Sequence, residues 1–319
     1  MKIFIKNTVI LLLLVVSIMF FLDFAVTSGL RKSNSSLFNN LNKIFNSEMN
    51  ADLIINGSSK ALVQISPKII DSVLNLNSYN LGMDGTGFIP QKMQYDLYLK
   101  YNKKPEIVVQ IVSHGTLYKN VELYKYIKFA PYFDNEEIKK VSKKYKGFST
   151  YDYYIPFIRY SGNPSIVING LLNTIGIDLR KDNKYKGFLA QDKKWDNSFN
   201  DFKNNNPDGV LIRIEEHSIK LFENYIAECK NNNINVILVY PPTFMESKKY
   251  IKNEDEIVAY YKYIADKYQV PFLNYSDNVL SYSTEYFYNS QHLNRKGAEL
   301  FTKELSVDIK NLLENNLSK

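Results

Sequence analysis

With three histidines and one cysteine among 319 residues, the chain offers few places for acid–base chemistry near neutral pH. Histidine is the side chain whose ordinary pKa falls in that range. His217, in Glu215-Glu-His217-Ser, stands at a predicted helix start and reads as a surface residue, whereas His114 and His292 fall in loops that follow predicted strands. A nucleophile for one of them to activate stands in Ala51-Asp-Leu-Ile-Ile-Asn-Gly-Ser-Ser-Lys-Ala-Leu62. The apolar run Leu53-Ile54-Ile55 suits a strand buried on both faces, Gly57 permits a sharp turn, and Ser58-Ser59 open a helix. A hydroxyl is thereby displayed beside free backbone N–H groups at the carboxyl end of a strand, where open α/β sheets bind ligands. Serine hydroxyls are weak nucleophiles near neutral pH and need a neighbouring base. The competing role for such a serine is to cap the helix. Cys229 lies on an amphipathic helical pattern and reads as a small buried hydrophobe. No grouping of His, Cys and carboxylate has metal-ligand spacing, and no cofactor is implied.

The elements that must position these residues alternate. Strands are expected over 52–56, at the start of 78–87 before a glycine-rich loop, over 105–113 and 234–240, and over 270–275. Helices are expected over 61–74 with an interruption near Pro67, then over 91–101, 212–230 and 254–268, and after His292 to the C-terminus. Strands alternating with helices predict a mostly parallel five-stranded sheet between helical layers, a three-layer α/β sandwich. Residues 117–210 break the rhythm. They are rich in Tyr, Lys, Asn and Phe and hold two nearly identical words, Lys144-Tyr-Lys-Gly-Phe148 and Lys184-Tyr-Lys-Gly-Phe188. This segment is expected to be an insertion that caps the strand ends, with the α/β domain made of 51–116 and 211–319.

The N-terminus carries an uncharged apolar block over 8–22 behind Lys2 and Lys6. That pattern is an export signal with its N-terminus inside, and the stretch 25–28 lacks a firm small-residue cleavage pair. Residues 1–27 are therefore expected to remain as a signal anchor and 28–50 to form a membrane-proximal linker, with the rest extracytoplasmic. A lone cysteine leaves such a domain without internal disulfides, so its stability must come from its core. The net charge of +7 is spread over lysines and gives mild affinity for anionic envelope material. No zinc spacing or basic-aromatic repeat points to nucleic acid.

Four loops at strand ends, taken together, resemble the blocks of the SGNH/GDSL hydrolase superfamily. Gly57-Ser58-Ser59 resembles the Gly-Asp-Ser word, which carries the nucleophile to Ser59. Asn80-Leu-Gly-Met-Asp-Gly85-Thr resembles the glycine loop of the oxyanion hole, with Gly85 as the match. The third-block asparagine has no counterpart, and His114 occupies about that place. Asn289-Ser-Gln-His292 resembles the Asp-x-x-His block with Asn289 in place of the acid, and the Leu-Asn-Arg-Lys-Gly that follows is common in membrane-anchored members. The resemblance covers roughly 51–116 and 212–310. It implies an SGNH/flavodoxin-like fold, a Ser59–His292 site oriented by Asn289, and oxyanion donors at Gly85, His114 and the Ser59 N–H.

Anchored proteins of this kind, such as the D-alanine-transfer and alginate O-acetylation proteins, work beside a multispanning membrane acyltransferase. The expectation is therefore an O-acyl(acetyl)transferase acting on an envelope polysaccharide or anionic cell-wall polymer. Two alternatives stand beside it. One is an esterase or deacetylase using the same residues. The other is a non-catalytic anchored binding or assembly factor, with Asn289 and His114 as marks of decay, because an amide in place of the triad carboxylate costs a serine protease about 10⁴ in rate. Asp277 or Glu285 reaching the imidazole is the substitute-acid possibility.

Overall fold

A computed structural model describes residues 1–118, 120–179 and 183–317. In chain order its helices and strands begin with α1 (Lys2–Leu30), α2 (Asn39–Phe45), β1 (Leu53–Asn56), α3 (Ser59–Gln64), α4 (Pro67–Leu74), β2 (Ser78–Asn80), α5 (Phe88–Tyr101) and β3 (Ile107–Ile111). Next come α6 (Glu136–Ser142), α7 (Ile158–Ser161), α8 (Pro164–Thr174), α9 (Ser198–Asn205) and α10 (Glu216–Asn231). The chain continues through β4 (Asn235–Tyr240), α11 (Met245–Lys248), α12 (Glu254–Tyr268), β5 (Phe272–Asn274), β6 (Phe287–Asn289), β7 (His292–Leu293) and α13 (Arg295–Leu317).

Two compact units emerge, one of residues 47–120 with 184–319 and the other of 1–46 with 121–183. In the first, five parallel strands run in the order β2-β1-β3-β4-β5. This is the doubly wound order in which the switch between β1 and β3 opens a crevice at the strand ends. The expected α/β sandwich is thus present. β1 and β3 are buried along their whole length, as their unbroken apolar runs require. One sheet face, with Leu53, Ile55, Val109, Ile237 and Val239, packs on Ile65, Ile70 and the Phe301, Leu305 and Ile309 stripe of α13. Each such aliphatic side chain contributes about 1.5–3 kcal/mol by leaving water. The other face meets aromatic residues of α5, α10 and α12, among them Phe88, Phe222 and Tyr261. Pro67 separates α3 from α4 because a helix-interior proline lacks the N–H its turn needs, while at the first position of α4 it costs nothing.

One polar pair interrupts the apolar strands. Asn56 Nδ2 donates to Gln110 Oε1 at 2.9 Å, between residues that face each other in register on β1 and β3. Outside the main sheet, β6 and β7 form a short antiparallel hairpin, which the five strands expected from the sequence do not include.

The second unit is helical. α1 has 29 residues and is long and apolar enough to cross a membrane, about 43 Å at 1.5 Å per residue. Its first 22 residues are largely exposed, while Ala25, Val26, Gly29 and Leu30 are buried. Within 28–50, α2 is packed rather than loose: Asn42 Nδ2 donates to the carbonyls of Leu30 and Ser33, and Phe45 stacks on Tyr132. The two Lys-Tyr-Lys-Gly-Phe words fall in different units. Phe148 joins an aromatic cluster with Tyr126, Phe133 and Tyr153, whereas Phe188 enters the core beneath the sheet and the Lys186 carbonyl accepts from the Asn80 N–H.

Candidate active site

Ser59 is the first residue of α3, directly after β1 and Gly57. A side chain on Gly57 would meet Ala61 and Ile111 Cβ atoms at 2.9 Å, so the turn that presents the serines needs glycine. Neither serine caps the helix: Ser58 occupies the cap position and makes no side-chain cap hydrogen bond. Ser59 Oγ instead lies 2.7 Å from His292 Nε2, across 233 residues of sequence. His292 Nδ1 lies 2.9 Å from Asn289 Oδ1. The same Oδ1 accepts from the Gln291 backbone N–H at 3.0 Å, which fixes the amide with its oxygen toward the ring. Nδ1 therefore carries the proton and donates to Asn289, leaving the Nε2 lone pair to accept the Ser59 hydroxyl proton.

The hairpin that holds this histidine is pinned at several points. Gln64 Nε2 donates to the Gln291 carbonyl, and the Ser290 carbonyl accepts from the Phe244 N–H and the Ser247 hydroxyl. Tyr288 stacks on the imidazole at a centroid distance of 5.4 Å and an interplanar angle of 8°. Asp277 and Glu285 are not its acid: Asp277 accepts from the Tyr282 hydroxyl and Glu285 pairs with Lys296.

A second group of charges lies behind the serine. Lys60, only 4% exposed, donates from Nζ to Thr243 Oγ1 at 2.5 Å and sits over the Tyr240 ring. Glu254, at the start of α12, accepts from the Tyr240 hydroxyl at 2.5 Å, and its other oxygen is 3.5 Å from His114 Nδ1. Burial pushes Lys60 down to about 8 against the opposing pull of Glu254. Burial also raises Glu254, yet His114, Tyr240 and Lys60 outweigh it and hold the carboxyl below its ordinary value. Burial, followed by the charges of Lys60 and His114, pushes the His292 imidazole down to about 3. The ring is consequently neutral at neutral pH, in the state that can accept a proton.

Of the expected oxyanion donors, the Ser59 N–H lies in the first turn of α3, whose N–H groups the helix does not itself use. Gly85 is exposed in a left-handed turn with φ 63°, and the glycine that packs against α3 is Gly82, where a Cβ would fall 2.2 Å from the Leu62 nitrogen. His114 is half-buried and faces Glu254. Lys60, Thr243, Tyr240 and Glu254 escaped the sequence reading. Cys229 is buried and its thiol is pushed up to about 11 by burial, as suits a packing residue.

No protein-family profile matches the sequence, and no curated protein matches it. Among solved structures, the chain is similar to an inferred lipolytic protein of the G-D-S-L family from Desulfitobacterium hafniense, at 12% identity and a TM-score of 0.38, covering 80% of this chain and 97% of that one. It is also similar to an inferred acylhydrolase from Bacteroides fragilis, at 13% identity and a TM-score of 0.33, covering 81% of this chain and 86% of that one. Likeness this distant decides nothing about activity.

Proposed function

We propose that this protein is a membrane-anchored serine acyltransferase that forms an ester on Ser59 and passes the acyl group to a hydroxyl of an extracytoplasmic envelope polymer. The observation that carries the reading is the relay Ser59 Oγ to His292 Nε2 at 2.7 Å and His292 Nδ1 to Asn289 Oδ1 at 2.9 Å. Ser59 Oγ attacks the donor carbonyl while its proton passes to His292 Nε2, and the oxyanion forms beside the first-turn N–H groups of α3. The donor's leaving group takes the proton from Nε2. An acceptor hydroxyl then gives its proton to the same nitrogen and attacks the acyl-Ser59 ester, and the departing Ser59 Oγ takes that proton from Nε2, which regenerates the serine.

Asn289 orients the ring through its carbonyl dipole and supplies no charge to the imidazolium, so proton transfer to His292 is costly here. The apolar α1 supports attachment to a membrane, and the lysine-rich surface supports an anionic polymer as acceptor. Water in place of the polymer hydroxyl turns the same acyl-enzyme into an esterase.

The test is reaction of the detergent-purified chain with a fluorophosphonate and with p-nitrophenyl acetate, with and without a polysaccharide acceptor. A covalent adduct on Ser59, and ester turnover at least about 10⁴-fold lower in Ser59→Ala, are expected. Equal turnover in the two proteins overturns the reading. Acetyl appearing on the added polymer, rather than as free acetate, marks transfer.

A further inference from the structure

α8 is an uncharged helix, Pro164-Ser-Ile-Val-Ile-Asn-Gly-Leu-Leu-Asn-Thr174, that crosses the last turns of α1 at very short range. A Cβ on Gly29 would fall 1.7 Å from the Gly170 carbonyl oxygen, and one on Gly170 would fall 2.7 Å from the Val26 carbonyl oxygen. Thr174 Oγ1 donates to the Ala25 carbonyl at 2.6 Å. Ala25 with Gly29, and Gly170 with Thr174, are small residues four apart on each helix, the pattern by which helices in lipid bring their backbones together. This crossing fixes how α8 is turned. Gly170 and Thr174 face α1, and Asn169 faces the chain beyond the end of α1, its Nδ2 donating to Ser33 Oγ, with Asn173 one turn along bonded to it.

At 100° per residue, Ile168 and the C-cap residue Ile175 lie on one edge of α8, turned away from those asparagines and from Gly170, while Leu171 packs inward on the core that holds Val26 and Leu30. The helix that α8 packs against, α1, is itself exposed along its apolar first 22 residues. Ile168 is 57% exposed and Ile175 71%, and Phe24 on α1 itself is 71% exposed. Asp23, the first acidic residue after the apolar run, is held at this level by Arg159 at 2.7 Å and by the Phe157 N–H. A carboxylate and guanidinium paired at the end of a span belong at the headgroup boundary.

From these contacts we infer that α8 is an interfacial helix: its Ile168 and Ile175 edge lies in the headgroup and acyl boundary of the same bilayer that α1 crosses. The occupant of the exposed apolar edge is phospholipid. Continuity with the apolar surface of α1 carries this choice, and the inference rests on reading α1 as a membrane span. The second contact fixes the tilt and rotation of the anchor, which a single helix in a bilayer leaves free.

The full, unsubstituted chain reconstituted in phosphatidylcholine–phosphatidylglycerol vesicles tests this by photo-crosslinking. The probe is a phospholipid with a diazirine near the top of one acyl chain, and adducts are mapped by mass spectrometry. Adducts on α1 together with the peptide spanning 164–179 are expected, the latter lost at least about fivefold in an Ile168→Asp/Ile175→Asp variant whose α1 adducts persist. Adducts on α1 but none on 164–179 overturn the interfacial helix and leave the anchor standing. Absence of adducts from α1 as well overturns the anchor, and this inference falls with it.

Discussion

Both units bury amides on backbone carbonyls, as Asn42 does in the helical unit and Asn80 in the α/β unit, but the α/β unit also buries Lys60 and Glu254 behind its serine. In the helical unit, Asn39, Asn40, Asn42, Asn169 and Asn173 are buried, and Asn42 and Asn173 donate to backbone carbonyls. In the α/β unit the buried polar residues near β1 and β4 include Lys60 and Glu254, which are charged at neutral pH and stand behind a nucleophile. Amides placed on backbone carbonyls close a structure without creating reactivity. Charges buried around an imidazole alter its proton affinity, at a cost in stability that a purely structural core avoids. The charges around the serine thus set the site apart from the buried amides of both units.

The comparison is broken most directly at the serine. Ser59→Ala is expected to lower ester turnover by at least about 10⁴-fold while the lipid adducts of the helical unit stay unchanged, a pair of readouts from one preparation. Asn289→Asp comes next and runs in the opposite direction. A carboxylate at Oδ1 stabilises the imidazolium, so kcat/KM is expected to rise by about 10²- to 10⁴-fold. Its pH profile gives an independent check. In the wild type the imidazole, pushed down to about 3, keeps the rate flat from pH 7 to about pH 4, with loss only as protonation removes the base. In Asn289→Asp that acid limb moves upward, and an unmoved limb with unchanged kcat/KM would show that His292 is not the base.

Lys60 supplies the next effect, on stability. Its folded value of about 8 lies below the ordinary 10.5, so the unfolded chain binds more protons between these values and stability rises with pH across the window. Denaturant unfolding is expected to show wild type gaining about 3 kcal/mol between pH 8 and 10.5 relative to Lys60→Met, with the gain lost as pH falls through 8. Parallel curves for the two proteins would remove the buried charge from the account. The smallest effect lies in the helical unit. Gly170→Val forces a side chain against the Val26 carbonyl, and about 1–3 kcal/mol of destabilisation is expected in the α1–α8 pairing, seen as faster proteolysis within 121–183 with ester turnover unaltered.

Most of the frame was legible in the sequence because it rests on local pattern. Helix α12 spans Glu254–Tyr268, the range its periodicity predicted, and the β-branched run before Ser113 is strand β3. Ser59 and His292 were legible for a related reason: Gly57 and the turn chemistry near each residue put them at the ends of buried strands or in the loops between elements. The rest was not local. Glu254 heads the acidic run Glu254-Asp-Glu256, and nothing in that run separates the buried first member from its two exposed neighbours. The hairpin of β6 and β7 is too short for an alternating pattern to declare itself. The two Lys-Tyr-Lys-Gly-Phe words are identical in type, yet one phenylalanine enters an aromatic cluster and the other the core under a sheet, since packing partners choose the outcome.

The sequence by itself determined the parallel sheet, the apolar N-terminal helix and the serine displayed after a buried strand, all consequences of periodicity and turn residues. Only the tertiary structure decided that Ser59 and His292 meet across 233 residues, that Asn289 completes the relay in place of Asp277 or Glu285, and that Lys60 and Glu254 are buried beside them. Those facts depend on distances between elements remote in the chain, and the electrostatic consequences of burial follow only once such distances are fixed.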